Sequence, residues 1–160
     1  MIIIRSYKKS DKEQLNRLAL EAFAQYQYYY TDWPAIKKII GNMTALEKSA
    51  EIIVAEESGI IIGGVALVHP SCQPNKHSDS SLVSIRMLVV SPSQRGKGIG
   101  KKLTLECIDR AKGLRAKVIS LYTSPIMDVA LSMYLKMGFA KIKDIAPICG
   151  VEYSIYALQL

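Results

Sequence analysis

The chain has 160 residues, of which 49% are hydrophobic and 22% charged, so we expect one water-soluble globular domain over residues 1–160. The net charge is +7, and eight of the 21 basic residues lie between Arg95 and Lys117, which favours a polyanionic ligand. No signature of a nucleic-acid-binding module accompanies this charge, no apolar run could span a bilayer, and the N-terminus lacks the basic region of a signal peptide. We therefore expect a cytoplasmic protein that does not contact a membrane, and a basic nucleic-acid-binding domain is a less favoured alternative to the binding of another polyanion.

The cysteines are few and widely separated, at positions 72, 107 and 149. An odd number of cysteines without metal-ligand spacing predicts free thiols in a reducing compartment and no metal site. Cys107 falls on the apolar face of a predicted helix, so we expect it in the core.

The first third of the chain predicts a strand followed by two helices. β-branched side chains favour a strand over residues 2–7. Apolar positions at helical spacing favour helices over residues 11–25 and 34–48, the second with a break near Gly41. Residues 23–33 hold six aromatic side chains. These rings either pack the helices onto a sheet or border a ligand pocket.

A β-hairpin and a polar loop follow. Residues 51–56 and 60–68 flank a turn signal that contains Ser and Gly. Gly63 and Gly64 lie inside the second strand of this hairpin, which indicates a bulge or a close approach by a neighbouring element. Residues 69–80 are polar and are expected to form a flexible loop.

The strongest local pattern is an apolar strand, a proline, a glycine-rich turn and a helix. Residues 84–90 form the strand, and Pro92 should end it because proline cannot donate to a sheet ladder. Glycines at 96, 98 and 100 let backbone N–H groups point outward at the positive end of the helix, where phosphate binds. The glycine spacing fits neither the P-loop nor the dinucleotide-binding pattern. A glycine-rich turn without a ligand is the alternative.

The rest of the chain predicts a strand, a helix and two closing strands. The strand covers residues 117–122, the helix 126–137, and the closing strands 139–146 and 150–159. Gly138 should end the helix. The order of elements, βαα-ββ-βα-βα-ββ, predicts an α/β fold with a mixed, mainly antiparallel sheet flanked by helices.

Two motifs give the chain a resemblance to a known family. Arg95, Gly98 and Gly100 have the spacing R-x-x-G-x-G directly after a strand. A second signature of the same family, one helix and one strand later, is matched by Ala130, Tyr134, Gly138 and Phe139. The chain thereby resembles the GNAT superfamily of N-acetyltransferases over essentially its whole length. This resemblance implies the GNAT fold and acetyl-CoA as co-substrate.

The resemblance also implies which residues hold acetyl-CoA, without a metal. The turn that cradles the pyrophosphate corresponds to Arg95, Gly96, Lys97, Gly98, Ile99, Gly100 and Lys101. In the family the fourth strand splays from the fifth, and its main chain pairs with the pantetheine arm; the corresponding residues are Leu88, Val89 and Val90. Met127 and Ala130 complete the set. Met127 occupies the position where the family often has an asparagine that hydrogen-bonds the cofactor.

The reaction implied by the resemblance is acyl transfer from a thioester to an amine. Family members often use a tyrosine at the position of Tyr134 as the acid that protonates the departing thiolate. The alternative for Tyr134 is a core aromatic residue whose hydroxyl bonds to the backbone. A general base cannot be named, since Arg86 and Tyr122 lie on strands where some relatives carry glutamate. His69 and His77 lie in or beside the polar loop and are expected to be solvated.

The main hypothesis is an acetyl-CoA-dependent N-acetyltransferase that acts on a primary amine by direct attack of that amine on the thioester. The acceptor is a small molecule or a peptide, and the resemblance implies that residues 23–33 border its pocket. The alternative is a non-catalytic acyl-CoA-binding module with the same fold. The sequence leaves the acceptor open, and it admits a homodimer.

Overall fold

The structure, a computed structural model, describes residues 1–70 and 82–160. Its strands are β1 (Ile2–Ser6), β2 (Ala50–Glu57), β3 (Ile60–Val68), β4 (Val83–Val90), β5 (Val118–Thr123), β6 (Ala140–Ile148) and β7 (Val151–Gln159). Its helices are α1 (Lys12–Phe23), α2 (Trp33–Ile40), α3 (Ile99–Gly113) and α4 (Asp128–Lys136). Short 3₁₀ segments cover Lys9–Asp11, Ala24–Tyr29, Met43–Lys48 and Pro92–Gln94. The expectations for Cys72, for His77 and for most of the polar loop fall outside the described residues.

All seven strands belong to one sheet, in the order β1-β2-β3-β4-β5-β7-β6. β4 and β5 run parallel, and every other neighbouring pair is antiparallel. A parallel pair needs a crossover connection, and α3 supplies it between β4 and β5. The predicted fold class, α/β with a mixed and mainly antiparallel sheet, is confirmed.

Two apolar clusters cover the two faces of the sheet. α3 and α4 contribute to one cluster, and α1 and α2 contribute to the other. On α3 the four-residue spacing of Leu103, Cys107 and Ala111 directs these side chains into the core, where each is fully buried. Cys107 is therefore a core residue, as predicted, and burial raises the pKa of its thiol to about 12. None of the helices in the described ranges is both long and apolar enough to cross a membrane.

The paired glycines of β3 lie where helices approach the sheet from both faces. A Cβ atom at Gly63 would lie 3.0 Å from Cγ2 of Ile99, at the start of α3. A Cβ atom at Gly64 would lie 2.6 Å from Cδ1 of Leu15 in α1. Consecutive residues of a strand face opposite sides of the sheet, so the two glycines admit α3 and α1 at the same place. The close approach that Gly63 and Gly64 predicted is confirmed.

The helices before β2 are shorter than their periodicity predicted. α1 ends at Phe23, and the aromatic segment continues as a 3₁₀ turn rather than as helix. Asp32 caps α2, since its Oδ1 accepts a hydrogen bond from the backbone N–H of Ala35 at 3.1 Å. α2 ends before Gly41, and the segment predicted as its second half is a separate 3₁₀ turn. Glycine is a poor helix residue, which accounts for the break.

Candidate functional site

A cleft opens where β4 and β5 separate. Along their described lengths the two strands pair only through Val83 with Ile119 and Ser84 with Ser120. Parallel neighbours ordinarily exchange hydrogen bonds along their whole length. The separation therefore leaves main-chain groups of the second half of β4 without a partner on β5, facing the cleft.

The cleft has a volume of about 490 Å³ and crosses the sheet. Leu88, Ala130 and Tyr134 line it and pack with the apolar cluster of α3 and α4. Tyr30 and Tyr153 line it and pack with the cluster of α1 and α2. We call these the α4 side and the α2 side of the cleft. Two ligands could enter the cleft, one from each face of the sheet, and meet between the separated strands.

β4 carries a bulge at the cleft. Gly64 of β3 pairs with Val89 of β4, and Ala66 of β3 pairs with Arg86 of β4. Two residues of β4, Met87 and Leu88, therefore lie opposite the one residue of β3 between these pairs. Met87 has a φ of 55°, which is uncommon for a residue with a side chain and marks local strain. A bulge redirects the side chains of its strand. Sequence reasoning missed this feature, because no residue around position 87 signals a positive φ.

The glycine-rich turn has the conformation of an anion-binding helix start. Gly96 and Gly98 have φ values of 81° and 76°, which residues with side chains rarely adopt. Gly98 caps α3 and offers no side-chain acceptor to the first N–H groups of the helix. No described atom lies within 4 Å of the place where its Cβ would be. The donors of Ile99, Gly100 and Lys101 thus sit at the positive end of the helix without an intrahelical partner.

The basic side chains around the turn have different surroundings. Arg95 donates a hydrogen bond from Nη2 to the carbonyl oxygen of Ala22 near the end of α1, at 3.1 Å. Lys97 donates from Nζ to Oε1 of Gln94 at 2.8 Å. Lys101 lies on a groove of about 570 Å³ that it shares with Lys136 of α4. The Arg95 side chain is therefore used to hold α1, which leaves its backbone for a ligand.

The strand residues predicted to bind the cofactor do not all reach the cleft with their side chains. Leu88 lines the cleft. Val89 is buried on the α2 side of the sheet, and Val90 packs against the cluster on the opposite face. Ile99 is likewise a core side chain. For Val89 and Ile99 only the main chain is available to a ligand, whereas the Val90 side chain is half-buried.

Tyr134 lies in the α4 side of the cleft. It is 4% exposed, and its ring packs edge-on against Phe139 with 5.6 Å between ring centroids. Its hydroxyl makes no hydrogen bond with any residue in the described part of the chain. The backbone bond expected for a purely structural tyrosine is thus not found there. Burial raises the pKa of the Tyr134 phenol above its ordinary value of 10, which keeps it protonated.

Met127 and Ala130 lie next to Tyr134 in the cleft lining. Ala130 precedes Tyr134 by one helical turn, so the two residues share a face of α4. Met127 comes just before α4, and its sulfur accepts a hydrogen bond of 3.8 Å from Oγ1 of Thr123. A thioether cannot donate a hydrogen bond, unlike the asparagine common at this position in the family.

Aromatic residues from distant parts of the chain form the α2 side. The hydroxyl groups of Tyr30 and Tyr153 are in direct hydrogen-bonding contact. Burial raises the pKa of both phenols. The ring of Tyr122 packs edge-on against Tyr153, with 5.7 Å between centroids, and the guanidinium carbon of Arg86 lies 5.1 Å from the Tyr122 centroid. The sequence carries no motif that would have joined Tyr153 to this site, and the resemblance indicated only that Arg86 lies on a strand where some relatives carry glutamate.

The aromatic segment predicted to border the pocket does so only in part. Phe23 and Tyr30 line the cleft. Tyr28 and Tyr29 are 91% and 58% exposed, and neither they nor Tyr26 and Trp33 line it, so the expectation was wrong for these four residues. A 3₁₀ turn has three residues per turn, and it directs only some of its side chains toward the sheet.

Among the described residues, no histidine, aspartate or glutamate lines the cleft. Nε2 of His69 lies 2.9 Å from a carboxylate oxygen of Glu51 on β2, outside the cleft. The same part of the chain contains no cluster of three or more histidine, cysteine or acidic side chains that could hold a metal ion. A general base is therefore not identified among the side chains of the described cleft.

Comparison with known proteins places the chain among acetyltransferases. Residues 11–139 match the acetyltransferase (GNAT) family. A protein of Escherichia coli K12, YjgM, which is named as an uncharacterized N-acetyltransferase, is 29% identical over 89 residues, 56% of this chain and 50% of YjgM. The matches cover from 29% to 66% of the length of three curated relatives, so the chain spans less than two thirds of each.

Two solved structures share the fold along almost the whole chain. A GNAT acetyltransferase from Staphylococcus aureus Mu50 has a TM-score of 0.76 and 22% identity, covering 99% of both chains. YncA of Salmonella typhimurium, solved with acetyl-CoA, has a TM-score of 0.71 and 17% identity, covering 99% of this chain and 93% of YncA. The family match confirms the resemblance that the two motifs indicated, and the chain belongs to the acetyltransferase (GNAT) family.

Proposed function

We propose that the protein is an acetyl-CoA-dependent N-acetyltransferase that acts on a primary amine of a small molecule or peptide. The main support is the cleft that crosses the sheet, with a buried tyrosine on its α4 side whose hydroxyl bonds to no residue in the described ranges. Acetyl-CoA would supply an acetyl group activated as a thioester. The residues of this chain would bind it, orient it against the amine and control the protons.

The glycine-rich turn fits the pyrophosphate of coenzyme A. The N–H groups of Ile99, Gly100 and Lys101 would donate to the phosphate oxygens, with the backbone of Arg95 and Gly96 beside them. Lys97 and Lys101 add positive charge around the turn. Gly98 supplies the left-handed φ that the turn needs, and it has no side chain that would block the anion.

The separated part of β4 fits the pantetheine arm. The main-chain groups of Leu88, Val89 and Val90 do not pair with β5, and they would hydrogen-bond this arm instead. Met127 and Ala130 would pack beside it. An N–H group at the bulge would polarise the thioester carbonyl as negative charge develops on its oxygen. This role uses the backbone, so it is compatible with the buried side chain of Val89 and the half-buried side chain of Val90.

Tyr134 would act as the acid toward the leaving thiolate. Its raised pKa keeps the phenol protonated at neutral pH, where it can donate to the sulfur as negative charge accumulates there. The proton would pass to the sulfur as the thiol departs, and solvent would return it. The attacking amine must be neutral and must lose a proton after attack. We assign this proton to water, since no described side chain of the cleft serves as its acceptor.

Two measurements test the proposal. Isothermal titration of acetyl-CoA should show saturable binding, and free thiol should appear from acetyl-CoA when an amine is added from a panel of amino acids, polyamines, simple amines and peptides. If acetyl-CoA binds but none of the amines causes thiol release, the result would favour the non-catalytic acyl-CoA-binding module. A protein that does not bind acetyl-CoA would contradict both functions.

A further inference from the structure

Arg86 is the one charged side chain among the described residues that line the cleft. The other lining residues are apolar, aromatic or hydroxyl-bearing. Nη1 of Arg86 is buried, and it donates no hydrogen bond to any residue in the ranges that the structure describes. A buried charged donor without an acceptor costs stability, so its presence in a cleft calls for a functional explanation.

Other arginines of the protein form ion pairs, whereas Nη1 of Arg86 has no partner among the described residues. Arg5 donates from Nε to a carboxylate oxygen of Glu56 at 2.6 Å, and Arg110 donates from Nε to Glu106 at 2.9 Å. Arg86 instead stacks against Tyr122 at 5.1 Å, a contact that orients the guanidinium and leaves its donors available. The side chain is thus positioned by the protein but lacks the anion that a guanidinium fork matches.

An anion bound by Arg86 would belong to the acceptor rather than to the cofactor. The phosphates of acetyl-CoA are assigned to the turn at the start of α3, and its pantetheine arm is uncharged. Arg86 lines the cleft together with the tyrosines of the α2 side, directly before the bulge at Met87 and Leu88. An acceptor held by Arg86 would therefore present its amine close to its anionic group.

We infer that Arg86 binds a carboxylate of the acceptor, and that the substrate is an amino acid or another small amine with a carboxylate a few bonds from its nitrogen. This inference rests on the proposed function. The apolar and aromatic walls of the α2 side, such as Ile36 and Tyr30, would receive the rest of the molecule. The planar guanidinium matches a carboxylate with two parallel hydrogen bonds, which a neutral amide cannot replace.

Kinetics with matched acceptors test the role of Arg86. The pairs are L-phenylalanine with L-phenylalaninamide and L-leucine with L-leucinamide. We expect Arg86→Met to lower kcat/KM for the acids by about 10- to 100-fold, mainly because KM rises. For the amides we expect kcat/KM to change by no more than about threefold. Each comparison is between parent and variant for one acceptor, so the intrinsic reactivity of the amine cancels.

Two further variants sharpen this result. Arg86→Lys keeps the charge without the fork and should recover part of the loss. Arg17→Met makes the same chemical change at an exposed position of α1 and should change neither acids nor amides. The Tm of Arg86→Met should stay within a few degrees of the parent, because the lost ring contact is offset by removal of an unpaired buried charge. A large fall in Tm would instead identify Arg86 as a structural residue.

A binding measurement separates this inference from the proposed function. N-acetyl-L-phenylalanine and its amide are titrated into the parent and into Arg86→Met in the presence of coenzyme A, with acetyl-CoA affinity measured alongside. Carboxylate binding that is lost in Arg86→Met would support the inference even if no acetyl transfer occurs. Equal effects of Arg86→Met on acid and amide, or a complete absence of carboxylate binding and acetylation in the parent, would overturn it. Failure of the parent to bind acetyl-CoA would count against the proposed function instead.

Discussion

The two sides of the cleft are built in different ways. The α4 side and the glycine-rich turn come from one continuous stretch, residues 83–139, and they offer a ligand mainly backbone donors. The α2 side brings Phe23, Tyr30 and Tyr153, from distant parts of the chain, next to Arg86 of β4, and it offers side chains. Most substitutions leave the backbone N–H group in place, whereas every substitution replaces a side chain. The first arrangement suits a constant co-substrate, and the second suits an acceptor that differs between relatives.

The turn provides the test with the largest expected effect. Gly98→Asp should weaken coenzyme A binding by at least about 100-fold, because like charges about 4 Å apart near a surface repel by about 4 kcal/mol. The fold should survive, since no described atom lies within 4 Å of the new Cβ. Isothermal titration with coenzyme A, together with a thermal melt, measures both quantities.

Gly98→Asn is the matched control for this substitution. Asparagine has nearly the shape of aspartate and tolerates the left-handed region about as well, but it carries no charge. We expect a loss of about tenfold or less for Gly98→Asn. Equal losses in the two variants would assign the effect to backbone geometry, and coenzyme A affinity within about twofold of the parent in Gly98→Asp would exclude the turn as the phosphate site.

The next test concerns Tyr134, on the α4 side. Tyr134→Phe removes one hydroxyl and keeps the ring against Phe139, so stability should change little. If the phenol protonates the leaving thiolate, kcat should fall on the order of 10²- to 10⁴-fold, with coenzyme A affinity within a few-fold of the parent. Thiol release at saturating substrates measures the effect. Turnover at the parent rate would remove Tyr134 from the mechanism.

The pH dependence of the parent tests the same residue. As the proposed acid, Tyr134 would work in its protonated form, and burial raises its pKa above the ordinary value of 10. The active form is therefore present throughout the neutral and alkaline range, and it is lost only as the pH rises through the raised pKa. We expect no descending limb of kcat from this group between about pH 7 and pH 10. A limb in that range that is absent from Tyr134→Phe would contradict the raised pKa.

The smallest expected effect lies on the α2 side. Tyr153→Phe removes the hydroxyl that bonds to Tyr30 and should raise the acceptor KM by about two- to tenfold, as expected for one neutral hydrogen bond. Acetyl-CoA affinity should not change, because the hydroxyl pair belongs to the α2 side. Tyr28→Phe is the control, since Tyr28 is exposed and outside the cleft. An equal rise of KM in both variants would show that Tyr153 has no specific role in acceptor binding.

The part of the site that could be predicted from the sequence is the continuous part. The strand, turn and helix around Gly98 were predictable because proline and glycine have strong local effects and because the apolar spacing of α3 is regular. Tyr134 was found through its spacing from Ala130 and Gly138 in a motif. These signals are local, and local signals survive in a single sequence.

The remaining features depend on contacts between distant segments. The bulge at Met87 arises from the pairing of β4 with β3, which no local pattern specifies. The hydroxyl contact joins Tyr30 to Tyr153, 123 positions apart. Arg95 matched the family motif, yet its side chain holds the carbonyl of Ala22 in α1, a contact that only the fold creates. Tyr28 and Tyr29 are tyrosines next to Tyr30 in the sequence, but their side chains do not line the cleft as that of Tyr30 does.

The paired glycines of β3 have a consequence for the reaction itself. α3 carries the turn assigned to the co-substrate, and α1 leads into the wall of the α2 side; each helix rests on one of these glycines. Under the proposed function, Gly63 and Gly64 would set the distance between the two substrates. A displacement of about 1 Å can cost about 100-fold in rate. We expect Gly63→Ala to lower kcat by a larger factor than it weakens the binding of either substrate, an effect that titration and turnover together would detect.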